Sequence, residues 1–214
     1  MSRPFDPACS ACPRLAGYLE GVRQRHPHYH AAPVPAFGPT QARLLVVGLA
    51  PGLHGANATG RPFTGDHAGI LLYRTLHQLG LASRPDASRP DDGLQLTDCR
   101  ITNAVRCVPP ANKPEAAEVR RCRDYLAWDL QQVPDGGVVL ALGRVAHDAV
   151  LAAEGQVRAR HPFAHGARHA LSRGRALLDC YHCSRYNTQT GRLTQAMFEQ
   201  VFRQARSLLE ADQP

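Results

Sequence analysis

Residues 43–48 read RLLVVG, and residues 49–66, LAPGLHGANATGRPFTGD, follow them directly. The first run is short, apolar and β-branched and ends at a glycine, which is typical of a buried strand in a parallel sheet. The second run has the composition of a glycine-rich loop. Residues 68–79, AGILLYRTLHQL, then repeat their apolar positions with the period of a helix. The order strand, loop, helix predicts one unit of an α/β fold.

The same alternation continues on both sides of this unit. Further strands are predicted at residues 98–106, 138–142 and 176–181, and further helices at residues 11–25, 115–133, 144–153 and 194–209. Strands that alternate with helices form a parallel sheet with helices on both faces. With 214 residues, the chain is expected to form one domain or at most two small ones.

The composition describes a soluble globular protein: 43% of the residues are hydrophobic, 20% are charged and the mean hydropathy is −0.32. No apolar run approaches the ~18 residues of a membrane-spanning helix. The amino end, MSRPFDPACSACPRL, lacks the apolar centre of a signal peptide. We therefore expect a cytoplasmic protein without a membrane span, and a monomer, since no sequence feature points to an obligate protein partner.

The charge balance is unusual. The net charge is +7, and only one of the 25 basic residues, Lys113, is a lysine. Because the guanidinium fork of arginine binds phosphate oxygens bidentately, nucleic acid is the first partner to consider. A GC-rich genome, which favours arginine codons, would explain the preference equally well. Charge alone therefore leaves the function open.

Seven cysteines occur in a chain with no sign of secretion, so thiols or metal ligands are expected rather than disulfides. Cys9 and Cys12 have the spacing of two ligands to one metal centre. Two further ligands could come from Cys107 and Cys122, or from the close pair formed by Cys180 and Cys183. By spacing alone the second set is the better zinc site, whereas context favours the first. Residues 107–114 form a proline-bearing loop from which Cys107 can turn toward the amino-terminal segment.

Ligands bind beyond the carboxyl ends of parallel strands, so the segments that follow each strand should hold the site. The glycine-rich loop at residues 48–69 could present backbone amides to a phosphate, although it matches neither a Walker loop nor a dinucleotide fingerprint. Phe63 within it is either a buried anchor or a platform on which a planar ligand stacks. Asp66 is either a helix cap, a catalytic carboxylate, or both.

Two other strand ends offer polar side chains of chemical interest. The amide of Asn103 has a donor and an acceptor side by side, which matches the polar edge of a pyrimidine. His182 follows the fourth predicted strand, at the ligand end of the sheet; a structural role is the alternative. Residues 185–192 are predicted as a flexible basic loop, which could contact phosphates or lie in solvent.

Three segments together resemble a known family closely. They are GLAPGLHGANATGRPFTGD (48–66), NAVRCVPPANKP (103–114) and YHCSRYNTQTGRLT (181–194). They are similar to the motifs of the family-5 (type B) uracil-DNA glycosylases, an iron–sulfur branch of the uracil-DNA glycosylase superfamily. The resemblance covers nearly the whole chain. It implies a single domain over residues 1–214, with a three-layer α/β/α fold and a central four-stranded parallel sheet.

The resemblance also implies a cofactor and a set of site residues. A 4Fe-4S cluster would be bound by Cys9, Cys12, Cys107 and Cys122. Gly48, Ala50, Phe63 and Asn103 would bind the base, with Phe63 stacked on it and Asn103 reading its polar edge. His182 and Asp66 would be catalytic: His182 would stabilise the departing base, and Asp66 would position water or stabilise the cationic sugar. DNA phosphates would be bound by Arg61, Ser184, Arg185, Asn187 and Arg192.

The implied activity is removal of uracil from DNA by base flipping, and of other deaminated bases such as hypoxanthine or xanthine. Three departures from the wider superfamily stand out. Ala50 replaces a polar water-activating residue, as it does throughout family 5; Cys183 replaces the proline of a His-Pro-Ser motif; and Ala58 stands where an arginine is frequent. The competing function is a non-catalytic nucleic-acid-binding module with an iron–sulfur cluster.

Overall fold

The computed structural model describes residues 2–211, in which strands and helices alternate along the chain. The strands are β1 (Leu44–Gly48), β2 (Cys99–Asn103), β3 (Val138–Leu142), β4 (Arg168–Ala170) and β5 (Ala176–Cys180). The helices are α1 (Pro13–Arg25), α2 (Ala56–Thr59), α3 (His67–Gln78), α4 (Ala116–Gln132), α5 (Arg144–Ala153), α6 (Arg185–Gln189) and α7 (Gln195–Ala211). Short 3-10 helices span Pro110–Asn112, Arg158–Arg160 and Ser172–Gly174.

The strands form one sheet in the order β2-β1-β3-β5-β4. β1 pairs in parallel with β2 and β3, and β3 in parallel with β5, whereas β4 is antiparallel to β5. The predicted α/β class with a central sheet is confirmed, but the described sheet is mixed and has five strands instead of four parallel ones. β4 escaped prediction because it has three residues, none of them buried, and therefore no apolar pattern.

Side chains of the strands alternate between two apolar layers. Leu44, Val46 and Leu140 pack with α3 and α7 on one face, and Leu45 and Val139 pack with α4 and α5 on the other. β1, β3 and β5 are buried at every position because helices cover both faces. β2, which follows β1 in the sequence, pairs with one side of β1, and β3, which comes next, pairs with the other side. The topological switch point, where ligands bind in such sheets, therefore lies beside β1.

Helix starts follow the capping signals of the sequence. Asp66 caps α3, since its Oδ1 accepts a hydrogen bond from the Gly69 amide at 2.8 Å. Glu115 and Glu118 form a reciprocal capping box at the start of α4, where Glu118 Oε2 accepts from the Glu115 amide at 2.7 Å. Of the helices within residues 2–211, none is long and apolar enough to cross a membrane.

The prediction of a flexible loop over residues 185–192 is wrong for its first part, which forms α6. Ser184 caps this helix by accepting a hydrogen bond from the Asn187 amide at 3.3 Å. A second short helix, α2, lies inside the glycine-rich loop and ends at Gly60, whose φ is +76°. Both helices have five residues or fewer, too few to show a helical period.

Candidate active site

A cavity of about 400 Å³ lies at the carboxyl ends of β1, β2 and β5. It is lined by Ala50, Phe63, Asp66, Asn103 and His182, which come from three separate segments of the sequence. Ser184 and Arg185 line the same cavity. The structure therefore brings most of the predicted base-binding and catalytic residues to one place, the edge of the sheet at its switch point.

Phe63 is held in a strained conformation against the end of β1. Its φ is +54°, a left-handed value that non-glycine residues rarely adopt, and its side chain is buried. A Cβ atom at Gly48 would lie 2.7 Å from Phe63 Cζ, so the ring packs directly on the glycine backbone. The hydroxyl of Tyr73 donates to the Pro62 carbonyl at 2.7 Å and helps to hold the turn. Strain of this kind is typical of functional sites.

Asn103 ends β2 with a buried amide that faces the cavity. Its side chain is 3% exposed, and Oδ1 has no hydrogen-bond partner within residues 2–211. A buried polar atom without a partner costs about 1–3 kcal/mol, so folded proteins keep such atoms for ligands or water. The amide is thus available to a polar ligand in the cavity.

His182 borders the cavity opposite the end of β1. Its imidazole is roughly parallel to the Phe63 ring, with centroids 6.1 Å apart and an interplanar angle of 29°. Asn187 Nδ2 donates to the His182 carbonyl at 2.8 Å and fixes the backbone there. Burial lowers the pKa of His182 to about 4. The imidazole is therefore neutral at neutral pH and can donate one hydrogen bond without bringing a charge into the cavity.

Asp66 combines the two roles that the sequence left open. Oδ1 caps α3, while Oδ2 lies against the glycine-rich loop, where a Cβ at Gly55 would be only 2.8 Å from it. Burial raises the pKa of Asp66, and hydrogen bonds from the amides of Gly69 and Ala68 oppose that rise. The cap leaves the carboxylate in a fixed orientation at the wall of the cavity.

The residues predicted to bind phosphate separate into two groups. Ser184, Arg185 and Arg192 lie at or beside the cavity, and both arginines are exposed. The Arg192 guanidinium lies over the Tyr181 ring, 4.9 Å from its centroid. Asn187 is also at this edge, but its side-chain amide is engaged in holding the His182 backbone.

Arg61 requires a correction, because its side chain does not reach the surface around the cavity. It is 6% exposed, and its guanidinium forms a two-point ion pair with Asp92, with Nη2 to Oδ2 at 2.6 Å and Nη1 to Oδ1 at 2.9 Å. Nη2 also donates to the Arg89 carbonyl at 2.6 Å. Arg61 therefore ties the glycine-rich loop to residues 89–92 and is not available to a phosphate.

Two residues at this edge were missed by the sequence analysis. Asn112 lines the main cavity, and it follows Ala111 in a pair of left-handed residues with φ values of +53° and +56°. Arg144, at the start of α5, lines a second cavity of about 440 Å³ on the other side of His182, together with Arg192. Asn112 follows a double proline, and Arg144 follows the glycine after β3. These positions are the sequence signals that could have identified the two residues.

Cys9, Cys12, Cys107 and Cys122 line one small cavity, hereafter the cysteine cavity. Burial, reinforced by the neighbouring thiols, raises the pKa of Cys107 to about 12 and that of Cys122 to about 11, so these sulfurs need a cation to become thiolates. Within residues 2–211, no three of the sulfurs lie within 4.8 Å of one another. A tetrahedral zinc ion would hold them about 3.8 Å apart. The four sulfurs therefore do not have the spacing of ligands to a single zinc ion.

The zinc-ribbon alternative is not supported. It requires Cys180 and Cys183 to join Cys9 and Cys12, but both are fully buried in the apolar layer that packs with α3 and α7. Cys99 lies in the same layer. These three cysteines behave as small core residues.

One other cluster has metal-like spacing among the described residues, namely His147, His169 and Asp179. Its donor atoms are already paired: His147 Nδ1 lies 2.6 Å from Asp179 Oδ1 and His147 Nε2 lies 2.9 Å from the His161 carbonyl, while His169 Nε2 lies 3.0 Å from Asp179 Oδ2. Burial is the largest single influence on the pKa of His147 and lowers it, but the hydrogen bond and the charge of Asp179, together with the bond to the His161 carbonyl, outweigh burial and raise the pKa. The cluster is a buried hydrogen-bonded network that joins α5, β4 and β5 and anchors the loop before β4.

The comparison with known proteins agrees with this geometry. The family described as the uracil DNA glycosylase superfamily matches residues 35–206 of the chain. The chain belongs to this superfamily. Within it, the chain is 50% identical over 206 residues to the Type-5 uracil-DNA glycosylase of Thermus thermophilus, with 94% of each chain covered. The Type-5 enzyme of Mycobacterium leprae is 45% identical, with coverage of 94% and 91%, and that of Pyrobaculum aerophilum is 41% identical, with coverage of 92% and 87%.

The membership of the type-5 branch that the three sequence motifs predicted is thereby confirmed. The residues that match the superfamily, 35–206, include every segment that lines the cavity: the loop after β1, the end of β2 and the segment after β5. Cys9 and Cys12 precede the matched range, whereas Cys107 and Cys122 lie inside it.

Proposed function

We propose that the chain is a monofunctional uracil-DNA glycosylase, which hydrolyses the N-glycosidic bond of deoxyuridine in DNA and leaves an abasic site. The observation that supports this most directly is the meeting of Phe63, Asn103, His182 and Asp66 in one cavity. One aromatic ring, one unpartnered amide, one neutral imidazole and one fixed carboxylate are the groups that base recognition and glycosidic cleavage require.

Base recognition proceeds by flipping. The glycosidic bond inside a duplex cannot reach a concave cavity, so the nucleotide must leave the stack, at a cost of a few kcal/mol that mispaired bases reduce. Phe63 offers a rigid face for the flipped base. Asn103, whose Oδ1 has no other partner among the described residues, accepts from and donates to the polar edge of uracil.

Bond cleavage leaves negative charge on the base and cationic character on the sugar, as in other glycoside hydrolyses. His182 donates a hydrogen bond to a carbonyl oxygen of the departing base and stabilises the anion. A preorganised donor of this kind contributes about 3–4 kcal/mol. The low pKa matters here, because a neutral imidazole donates without attracting a counterion into the cavity.

Asp66 acts at the sugar side. Its carboxylate stabilises the positive charge that develops on the sugar and orients the attacking water. Ala50, which also lines the cavity, has no polar atom in its side chain, so Asp66 takes the part of the water-positioning group. The cap on α3 keeps the carboxylate from rotating away between turnovers.

The cavity also suits other deaminated bases. Its walls near the end of β1 are formed by small residues, Ala50, Gly52 and Ala56, and these leave room for a purine ring. Hypoxanthine and xanthine are therefore further substrates of the same site. Ser184, Arg185 and Arg192 at the rim bind the flanking phosphates, joined by Arg144 at the start of α5.

We further propose that Cys9, Cys12, Cys107 and Cys122, which line the cysteine cavity, would hold a 4Fe-4S cluster. When bound, the cluster would supply a cross-link of three chain segments rather than chemistry at the base. Its effect on the site runs through residues 103–107, since the Ala104 amide donates to the Gly48 carbonyl at 2.9 Å and the Val105 amide to the Leu49 carbonyl at 3.0 Å. The cluster thus fixes the segment that presents Asn103.

The test is base release from end-labelled duplexes that contain one uracil, hypoxanthine or xanthine. The proposal expects free base by chromatography and an alkali-labile strand. Asp66→Asn should abolish most release, and the matched control Asp86→Asn, at an exposed carboxylate outside the cavity, should not. If folded, DNA-binding protein releases no base from any of the three duplexes, the chain is a non-catalytic binding module and the proposal is wrong.

A further inference from the structure

A buried arginine borders the cysteine cavity. Arg106 is 2% exposed and lines this cavity next to Cys107. Its Nε and Nη1 have no hydrogen-bond partner within residues 2–211. Its backbone amide donates to Cys122 Sγ at 3.3 Å. Unpartnered donors this deeply buried are rare in native structures, and each calls for an acceptor that occupies the adjoining space.

The charges around Arg106 do not balance. Its Nη2 pairs with Asp129. The same carboxylate accepts from the Thr102 hydroxyl at 2.7 Å and lies 3.5 Å from Arg100 Nε. One carboxylate thus faces two guanidinium groups, which leaves an excess positive charge in a buried place. Such a charge is tolerated where an anion lies next to it.

We propose that Arg106 is a second attachment point for the iron–sulfur group, donating hydrogen bonds from Nε and Nη1 to its sulfur atoms. This inference rests on the cofactor proposed above. A 4Fe-4S cluster with four thiolate ligands is anionic, and hydrogen bonds to its sulfurs stabilise it and set its potential. The excess positive charge beside Arg106 would offset part of the negative charge of the cluster.

Arg106 is then a positioning residue for the active site as well. It lies three residues after Asn103, on the segment whose backbone is tied to the carbonyls of Gly48 and Leu49. Its side chain holds that segment to the cluster on one side and to Asp129 on the other. Loss of the guanidinium should therefore loosen the cluster first and the base-binding amide second.

The test uses the intact protein, purified without oxygen, and the variant Arg106→Met. The readout is the rate at which a ferrous chelator bleaches the visible iron–sulfur absorption. Changes in groups that support metal ligands typically alter metal affinity about 10- to 100-fold, so we expect bleaching to accelerate by that factor. Resonance Raman spectra should show shifted iron–sulfur stretching bands, because the hydrogen bonds to sulfur are gone.

Two further variants separate this role from general stability. Arg175→Met is the matched control: Arg175 is also buried, its guanidinium is fully paired with Glu154, Ser172 and the Leu130 carbonyl, and it does not line the cysteine cavity. Arg106→Met/Asp129→Asn also removes the charge of the carboxylate that Arg106 pairs with. We expect Arg175→Met to bleach at the wild-type rate and the double variant to bleach as fast as Arg106→Met.

The remaining outcomes overturn the inference. Unchanged bleaching and unchanged Raman bands in Arg106→Met would show that no bond to the cluster was lost. Recovery in the double variant would show that Arg106 serves only Asp129, and equal acceleration in Arg175→Met would show a general effect of instability. If the wild type contains neither iron nor sulfide, the cofactor proposal itself is wrong. If the wild type contains iron but Arg106→Met behaves like it, only the role of Arg106 is wrong.

Discussion

The oxygen Oδ1 of Asn103 lies where a side chain at residue 48 would begin. A Cβ atom on Gly48 would be 2.4 Å from that oxygen, closer than any real contact permits. The last residue of β1 and the last residue of β2 are adjacent in the parallel register, so the glycine makes room for the amide at the floor of the cavity.

Gly48→Ala should therefore lower the rate of uracil release by about 100-fold, because a displacement near 1 Å of a substrate-positioning group has that effect. The melting temperature should change much less than the rate. Gly17→Ala is the control, since a Cβ there, in α1, meets no atom within 4 Å. Normal activity of Gly48→Ala would show that the Asn103 amide does not position the base.

The low pKa of His182 predicts a specific pH dependence of stability. In the unfolded chain a histidine binds a proton below about pH 6.5, whereas folded His182 does so only near pH 4. Between these values the unfolded state binds more protons, so this residue's contribution destabilises the fold progressively as the pH falls from 6.5 to 4. Melting temperatures of His182→Ala, relative to the wild type, should rise across that interval on acidification. A constant difference would mean that His182 titrates normally.

The ion pair of Arg61 and Asp92 should stabilise the fold rather than the DNA complex. Arg61→Ala leaves Asp92 without its partner in a site where both side chains are nearly buried, and we expect a loss of about 3 kcal/mol in the free energy of unfolding. Arg61 lowers the pKa of Asp92 to about 2, so the stabilisation is complete above about pH 4 and disappears as the pH falls toward 2. Urea denaturation at pH 7 and pH 2.5 measures both effects. Equal losses at the two pH values would contradict the ion-pair account.

The salt dependence of DNA binding should identify the arginines that contact phosphate. Neutralising Arg144, Arg185 or Arg192 should each reduce the slope of log affinity against log salt by about one unit. Arg206→Ala, at an exposed position on α7, should leave the slope unchanged. Arg61→Ala should also leave it unchanged at temperatures where the variant is folded. Fluorescence anisotropy between 50 and 300 mM salt is the measurement, and a lower slope in Arg61→Ala would reinstate it as a phosphate ligand.

The seven cysteines should divide into four that hold iron and three that do not. Cys107→Ser and Cys122→Ser should lose the brown colour, most of the bound iron and several degrees of melting temperature. Cys99→Ala and Cys180→Ala should keep their iron, because both residues are buried in the apolar core. Iron and acid-labile sulfide per chain are the quantities to measure. Loss of iron in Cys180→Ala would revive the alternative ligand set.

Local patterns predicted the elements that bury apolar side chains. β3 and α5 have the predicted bounds. β1 begins one residue later than predicted, and α3 begins and ends one residue earlier, because the apolar period and the bounding glycines are properties of adjacent residues. β4 and α6 were not predicted, because an edge strand and a short polar helix bury little and leave no period.

Site residues were predicted correctly where their position follows from a strand end. They were predicted wrongly where their position depends on a partner that is distant in the sequence. Phe63, Asn103 and His182 follow strands, so their convergence could be inferred from the rule for parallel sheets. The burial of Arg61 could not, since its partner Asp92 lies 31 residues away in a loop. Spacing also left the cysteine ligands open, because Cys122 reaches Cys107 only through the packing of α4 on β2.

In the proposed mechanism, His182 and Asp66 act on one glycosidic bond in the cavity at the end of β1. Single-turnover rates of uracil release from a U:G duplex, measured for the wild type, His182→Ala and Asp66→Asn, test this mechanism. We expect measurable release by the wild type and losses of about 100-fold or more in each variant, with DNA affinity retained. Rates equal to the wild type in both variants would contradict it.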